Sequence, residues 1–220
     1  MSQLVLFVKS SIGKKILVAA TGVILFLYLF AHMFGNLKVF AGPESINGWA
    51  EFLHSRPAML WGARLVLLAA VLVHVVLAVL LWLEGLRARP KGYLVKRYKE
   101  ADYASRTMIV TGPMLGFYVV YHILHFTTGS AHPSFDPKNV YANVINGFSY
   151  WPVSAVYIVA MLLLGVHLYH GAWSLFQTLG LNHPRYNPWR RGFSVLAAVF
   201  LVAGFVSVPI AVLTGQLTVH

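Results

Sequence analysis

The chain has 220 residues, of which 58% are hydrophobic and only 10% charged, with 17 Lys and Arg against 6 Asp and Glu for a formal net charge of +11. Its mean hydropathy of +0.69 is too high for one soluble domain and fits a polytopic membrane protein. Cysteine is absent, which excludes disulfides, thiolate metal sites and iron–sulfur clusters held by this chain; a tightly bound metal must use His, Met or carboxylate ligands.

Stretches of roughly 20 apolar residues at about 15–36, 59–84, 107–128, 152–178 and 193–214 predict an all-α fold, with five transmembrane helices in one domain over 1–220. The N-terminus has basic residues and then an apolar run, as a signal peptide would. That run, 16–34, is long and has no clear small-residue cleavage site, so it predicts a retained helix. The first connection, 35–57, opens with a turn at Gly42-Pro43, and 46–54 then predicts a short interfacial helix with Trp49 at headgroup level. The second, 84–106, is strongly basic and predicts its own turn of helix. The third, 129–151, is polar and aromatic, and the fourth contains Asn182-His183-Pro184. None reads as a soluble domain.

With the N-terminus on the cytoplasmic side, 13 of the 17 basic residues fall inside, and only Lys38, Arg56, Arg64 and Lys138 fall outside. This asymmetry predicts N-terminus in and C-terminus out. A charge of +11 in a soluble protein would suggest nucleic acid. Concentrated on one face of a membrane protein it reads as a topology signal with contact to anionic lipid, or as the footprint of a docked cytoplasmic partner.

Four of the apolar runs each contain an imidazole that hydrocarbon would penalise: His32, His74, His122 and His167. At 1.5 Å per residue, His32 and His122 lie roughly 25 Å beyond the inner edge on outward-running helices. His74 and His167 lie roughly 15 Å from it on inward-running ones. Depth therefore predicts an outer pair, His32 with His122, and an inner pair, His74 with His167. Two imidazoles approaching a flat macrocycle from opposite faces give a six-coordinate haem iron suited to electron transfer. Zinc and di-iron sites fit less well, since no buried carboxylate or cysteine accompanies these rings. Thr21-Gly22 and Thr111-Gly112 stand at matched spacing, each threonine eleven residues before His32 or His122, which brings a hydroxyl and a small residue near the inner pair's depth. Ala78 and Gly171 are small residues one turn past His74 and His167. Ordinary small-residue helix packing would account for any one of these glycines.

His125 and His170 lie three residues beyond His122 and His167, and spacing alone does not separate ligand from neighbour; they read as residues that support a ligand or bond a propionate. His54, His132, His183 and His220 lie in connections or at the terminus, where a solvated or interfacial histidine is expected. Candidates for quinone or propionate contacts are Trp49, Glu51 and His54 on the outer side and Ser11, Lys15 and Arg106 on the inner side. Two other classes fit parts of this pattern: a b-type redox anchor of a hydrogenase or formate dehydrogenase, and a transporter or proton channel using histidines as a relay.

Several runs are similar to one known family. They are Ser10-Ser11-Ile12-Gly13-Lys14-Lys15; Ala20-Thr21-Gly22 with His32-Met33-Phe34-Gly35-Asn36-Leu37; Gly112 ten residues before His122; and His167-Leu168-Tyr169-His170-Gly171-Ala172-Trp173-Ser174, running on to Asn182. Together they resemble the di-haem cytochrome b membrane subunit of succinate:quinone oxidoreductases, the group of succinate dehydrogenases and fumarate reductases, over nearly the whole chain. The resemblance implies one axial histidine from each of the first four helices and none from the fifth, with His122 and His167 preferred over His125 and His170. It further implies two haem b groups, a quinone substrate of ubiquinone or menaquinone type, and flavoprotein and iron–sulfur partners on the cytoplasmic face of a bacterial-type cell membrane. A higher oligomer is compatible with it and nucleic acid is not expected. The succinate site would lie on a partner subunit, so this chain carries no catalytic residue of its own. Some family members have a glutamate two residues before the fourth-helix ligand, thought to carry protons; here that position is Gly165.

Overall fold

Residues that start and stop helices set the element boundaries. The computed structural model describes residues 3–88 and 103–219, and among them are eight α-helices and no strand. Five are long and apolar enough to cross a membrane, which makes this an all-α, multi-pass membrane protein: α2 (Ser11–Leu37), α4 (Pro57–Arg87), α5 (Tyr103–Phe126), α7 (Trp151–Thr178) and α8 (Asn187–Leu213). Three shorter helices, α1 (Gln3–Lys9), α3 (Pro43–His54) and α6 (Val140–Ser149), lie between or before them. Proline in the first turn opens α3, α4, α7 and α8, where its missing N–H costs no helical bond. Gly42, at φ 92°, makes the turn into α3 that a side chain would strain.

The motif at 10–15 has a local cause. Ser10 Oγ accepts the Gly13 N–H at 3.0 Å and so caps α2, while the Phe7 carbonyl accepts the Ser10 hydroxyl at 2.7 Å. A Cβ on residue 13 would run into that carbonyl, so glycine there is what lets α1 fold back against α2.

Two short helices were not expected from sequence. In the connection at 129–151, Asn139 Oδ1 caps α6 by accepting the Ala142 N–H at 3.0 Å, and Ile145 and Phe148 anchor it in the core. α1, ahead of the first span, is the second. The interfacial helix expected over 46–54 starts earlier, at Pro43. The turn expected in the second connection falls on residues outside those described.

α2 packs on α4 and α5 on α7, while α8 lies against α7 and α2. An ion pair between Lys14 and Glu84 joins the start of α2 to the end of α4, so these two run antiparallel. The main core sits at the other end, where Ile46 of α3, Phe148 of α6, Tyr157 of α7 and Val208 of α8 meet. Met33 is fully buried, its thioether against Gly204 of α8. The chain exposes 14,344 Å², against roughly 10,000 Å² for a compact globular chain of its mass. Only 6% of the most apolar windows of α2, α4 and α5 is buried inside the chain. These helices turn most of their surface to lipid, to a partner or to a ligand.

Arg190 locks the α7–α8 junction from a position only 4% exposed. Its guanidinium donates to Asn182 Oδ1 at 2.9 Å, Asn187 Oδ1 at 2.6 Å and the Trp173 carbonyl at 3.2 Å, and lies 4.2 Å above the Trp173 ring. Arg190→Ala is expected to destabilise the protein by about 3 kcal/mol, because three charge-assisted acceptors lose their donor in a closed site. Thermal unfolding in detergent checks this; an unchanged midpoint would show that the network carries no net stability.

Candidate functional site

The same arrangement occurs twice toward the end of the bundle where α2 begins. α4 brings His74 against α2, where its Nδ1 lies 3.1 Å from the Val18 carbonyl and 3.2 Å from Thr21 Oγ1. α7 brings His167 against α5, with Nδ1 3.4 Å from Thr111 Oγ1. The glycine after each threonine gives the ring its place. His74 Cε1 is 3.5 Å from where a Gly22 Cβ would stand, and His167 Cε1 is 4.0 Å from that of Gly112. A carbonyl only accepts, so His74 donates its Nδ1 hydrogen and keeps a bare lone pair on Nε2. Thr111 Oγ1 also lies 3.5 Å from the Met108 carbonyl, and with the hydroxyl hydrogen turned to that carbonyl its oxygen accepts from His167 Nδ1. A hydrogen-bonded Nδ1–H that fixes ring and tautomer is the usual support of a metal-binding imidazole.

The second pair is nearer the other end. The His32 and His122 rings have centroids 5.7 Å apart and stand nearly perpendicular, at 85°. Two imidazoles sharing one metal atom at about 2.0 Å per bond have centroids roughly 6 Å apart. Tyr28 stacks on His32 and Tyr118 on His122. His122 Nδ1 meets the Tyr157 hydroxyl at 3.3 Å.

The neighbouring histidines point elsewhere. His125 is fully buried, bonds Tyr157 Oη through Nδ1 at 3.0 Å and stacks on Tyr121. His170 Nε2 meets Ser174 Oγ of its own helix at 2.9 Å. His132, expected to be solvated or interfacial, is buried within the protein, because Nε2 donates to the Asn143 carbonyl at 2.9 Å, Nδ1 accepts the Ser134 N–H at 3.1 Å and the ring stacks on His125. His54 is exposed and bonded to the Ala50 carbonyl of its own helix, and His183 is exposed.

Among the other candidates, Trp49 lies against α2 at Gly35, one turn past His32, stacked on Phe52 and under the Lys38 ammonium. Glu51 is exposed on the same helix, α3, and Ser11, Lys15 and Arg106 are exposed at the ends of α2 and α5 where those helices begin. Sequence reasoning passed over Tyr157. The available signal was its depth: ten residues before His167 on α7 is about 15 Å, which reaches the level of the other pair.

These donors suit a planar metal-centred group better than a bare ion. No cluster of three or more His, Cys, Asp or Glu able to hold a metal ion occurs among the described residues, whereas His74 and His167 each present a ring over a glycine of the neighbouring helix. At Gly165 a Cβ would come within 2.8 Å of a Val202 methyl, so any side chain there requires Val202 to shift.

Fold and site together define a multi-pass helical membrane protein in which His32 and His122 face each other and His74 and His167 each rest against a Thr-Gly step of a neighbouring helix. The chain belongs to the succinate dehydrogenase/fumarate reductase transmembrane subunit family, whose model matches residues 86–206. Comparison with curated proteins and with solved structures gave no match. As a member of that family it is a membrane subunit of an electron-transporting oxidoreductase complex.

Proposed function

We propose that the chain holds two haem b groups, one between His74 and His167 and one between His32 and His122, and that it passes electrons between an iron–sulfur partner and membrane quinone. The observation that carries this reading is the repeated Thr-Gly cradle, which supports a histidine with its Nδ1 engaged and its Nε2 bare in each helical pair. When bound, such a group supplies reversible one-electron chemistry with no open coordination position. The chain's own part is to fix the rings, to surround them with apolar helix and so exclude water, and to set the ligand basicity through Val18, Thr21, Thr111 and Tyr157. In this reading the N-terminus is cytoplasmic, the His74/His167 centre faces the flavoprotein and iron–sulfur subunits, and the His32/His122 centre extends the path outward. Trp49, Glu51 and His54 on one side and Ser11, Lys15 and Arg106 on the other are the candidates for quinone or propionate contacts. The family match favours this over an anchor of a hydrogenase or formate dehydrogenase and over a histidine-relay transporter.

The test is a reduced-minus-oxidised spectrum of the purified protein with a haem count, followed by succinate-dependent quinone reduction by the assembled complex. Two b-type components per chain and activity only with the soluble subunits are expected. A chain that binds no haem removes the reading.

The basic second connection carries a further expectation, although Lys91, Lys96, Arg97 and Lys99 lie outside the described residues. Neutralising these four together should make the soluble subunits dissociate at lower salt with both haem spectra unchanged, since surface charge acts mainly on association and is screened by ions. Retention of the partners up to the parental salt concentration would make the segment a topology signal alone.

A further inference from the structure

Tyr157 is 5% exposed and its hydroxyl meets two imidazoles, His122 Nδ1 at 3.3 Å and His125 Nδ1 at 3.0 Å. The phenol has one hydrogen to give, so it cannot donate to both. His132, stacked on His125 at 4.9 Å, offers no way out. Its Nδ1 is committed to the Ser134 N–H and its Nε2 hydrogen to the Asn143 carbonyl. His125 Nε2 is buried with no hydrogen-bond partner. The hydrogens of His122, Tyr157 and His125 are therefore placed as one set.

Two arrangements are open to that set. If Tyr157 donates to His122 and accepts from His125 Nδ1–H, His125 Nε2 is left as a bare lone pair, and His122 carries its hydrogen on Nε2, where it blocks a metal bond. If Tyr157 accepts from His122 Nδ1–H and donates to His125, His122 Nε2 is bare and ready to ligate, and the burden passes to a buried His125 Nε2–H. Each arrangement leaves one Nε2 hydrogen and one Nε2 lone pair without a protein partner, exchanged between His122 and His125, and only the second presents the lone pair on His122. A metal bond at His122 Nε2 therefore selects the second arrangement.

We infer that Tyr157 is a positioning residue for the centre ligated by His122: its oxygen accepts the Nδ1 hydrogen of that ring, and its own hydrogen passes to His125. The inference rests on the haem-ligand reading above. An acceptor on Nδ1–H raises the basicity of the ligating nitrogen and so favours the oxidised metal. Tyr157 and His125 together should hold the potential of the His32/His122 centre down, with no effect on the other.

The experiment is a redox titration, with low-temperature electron paramagnetic resonance, of the purified haem-loaded protein carrying Tyr157→Phe or His125→Phe. In Tyr157→Phe both centres should remain bound, the His32/His122 component should shift to a more positive potential, and its low-spin signal should move as the freed ring turns; the His74/His167 component should stay where it is. His125→Phe should shift the same component in the same direction by less, because a tyrosine with no acceptor for its hydrogen is itself the weaker acceptor. No shift of that component in either variant, or an equal shift of both components, overturns the inference. Should Tyr157→Phe fail to assemble, the His125→Phe result decides alone. Absence of haem from the parent protein would instead overturn the ligand reading, which keeps the two failures apart.

Discussion

Alanine at His74 or at His167 is expected to abolish one b-type spectral component, the same one in both variants, while alanine at His32 or at His122 abolishes the other. Each substitution would remove one of the two imidazoles proposed to hold the group, so the expected effect is loss of the centre rather than a shift. The partnering follows from position. His74 and His167 each rest on a Thr-Gly pair in the first half of the helix beside them, while His32 and His122 stand 5.7 Å apart in the second halves of α2 and α5. His125→Ala and His170→Ala are expected to keep both components, because His125 faces Tyr157 and His132 and His170 engages Ser174. Depletion of the same component by His32→Ala and His74→Ala would show that helices rather than depths pair the ligands, and the assignment would fall.

The sequence made the spans and the four histidines legible for different reasons. A membrane helix must bury every backbone polar group within itself, so long apolar runs translate almost directly into helices. A histidine inside such a run stands out against hydrocarbon. The Thr-Gly matches were also visible, as a repeated spacing, but not what they do. That Gly22 and Gly112 seat a ring of the neighbouring helix depends on the crossing of α2 with α4 and of α5 with α7, which no single helix encodes. α6 was hidden because its helical signal, Ile145 and Phe148 one turn apart, is too short to separate from a polar connection, and because the cap that starts it, Asn139, also reads as a turn residue. His132 was misjudged for the same reason: α6 is what buries it, through the carbonyl of Asn143. Tyr157 carried no mark beyond its depth, since a tyrosine in an apolar helix is ordinary until two imidazoles are found on its hydroxyl. Gly165 was read as a missing glutamate, and its tight approach to Val202 of α8 shows only in the packed pair of helices.

Leucine at Gly22 or at Gly112 is expected to cost the His74/His167 centre while sparing the other, although neither glycine bonds anything. An alanine Cβ at residue 22 would stand 3.5 Å from His74 Cε1 and 3.8 Å from its Nδ1, ordinary contact distances, so Gly22→Ala should keep both centres. The further carbons of leucine have nowhere to go on that side but into the ring. They would drive His74 off the Val18 carbonyl and Thr21, the two contacts that hold its Nδ1 hydrogen and aim its Nε2. Gly112 has slightly more room, with 4.0 Å to His167 Cε1, so Gly112→Ala should be silent and Gly112→Leu should act through the weaker 3.4 Å contact of His167 with Thr111. A haem count with the reduced-minus-oxidised spectrum reads the result, and thermal unfolding of the same samples separates it from simple misfolding. If these glycines serve only to let helices approach, leucine will lower the unfolding temperature and deplete both components together. Selective loss of the His74/His167 component, with alanine tolerated at both positions, is the outcome that a pair of ring cradles requires.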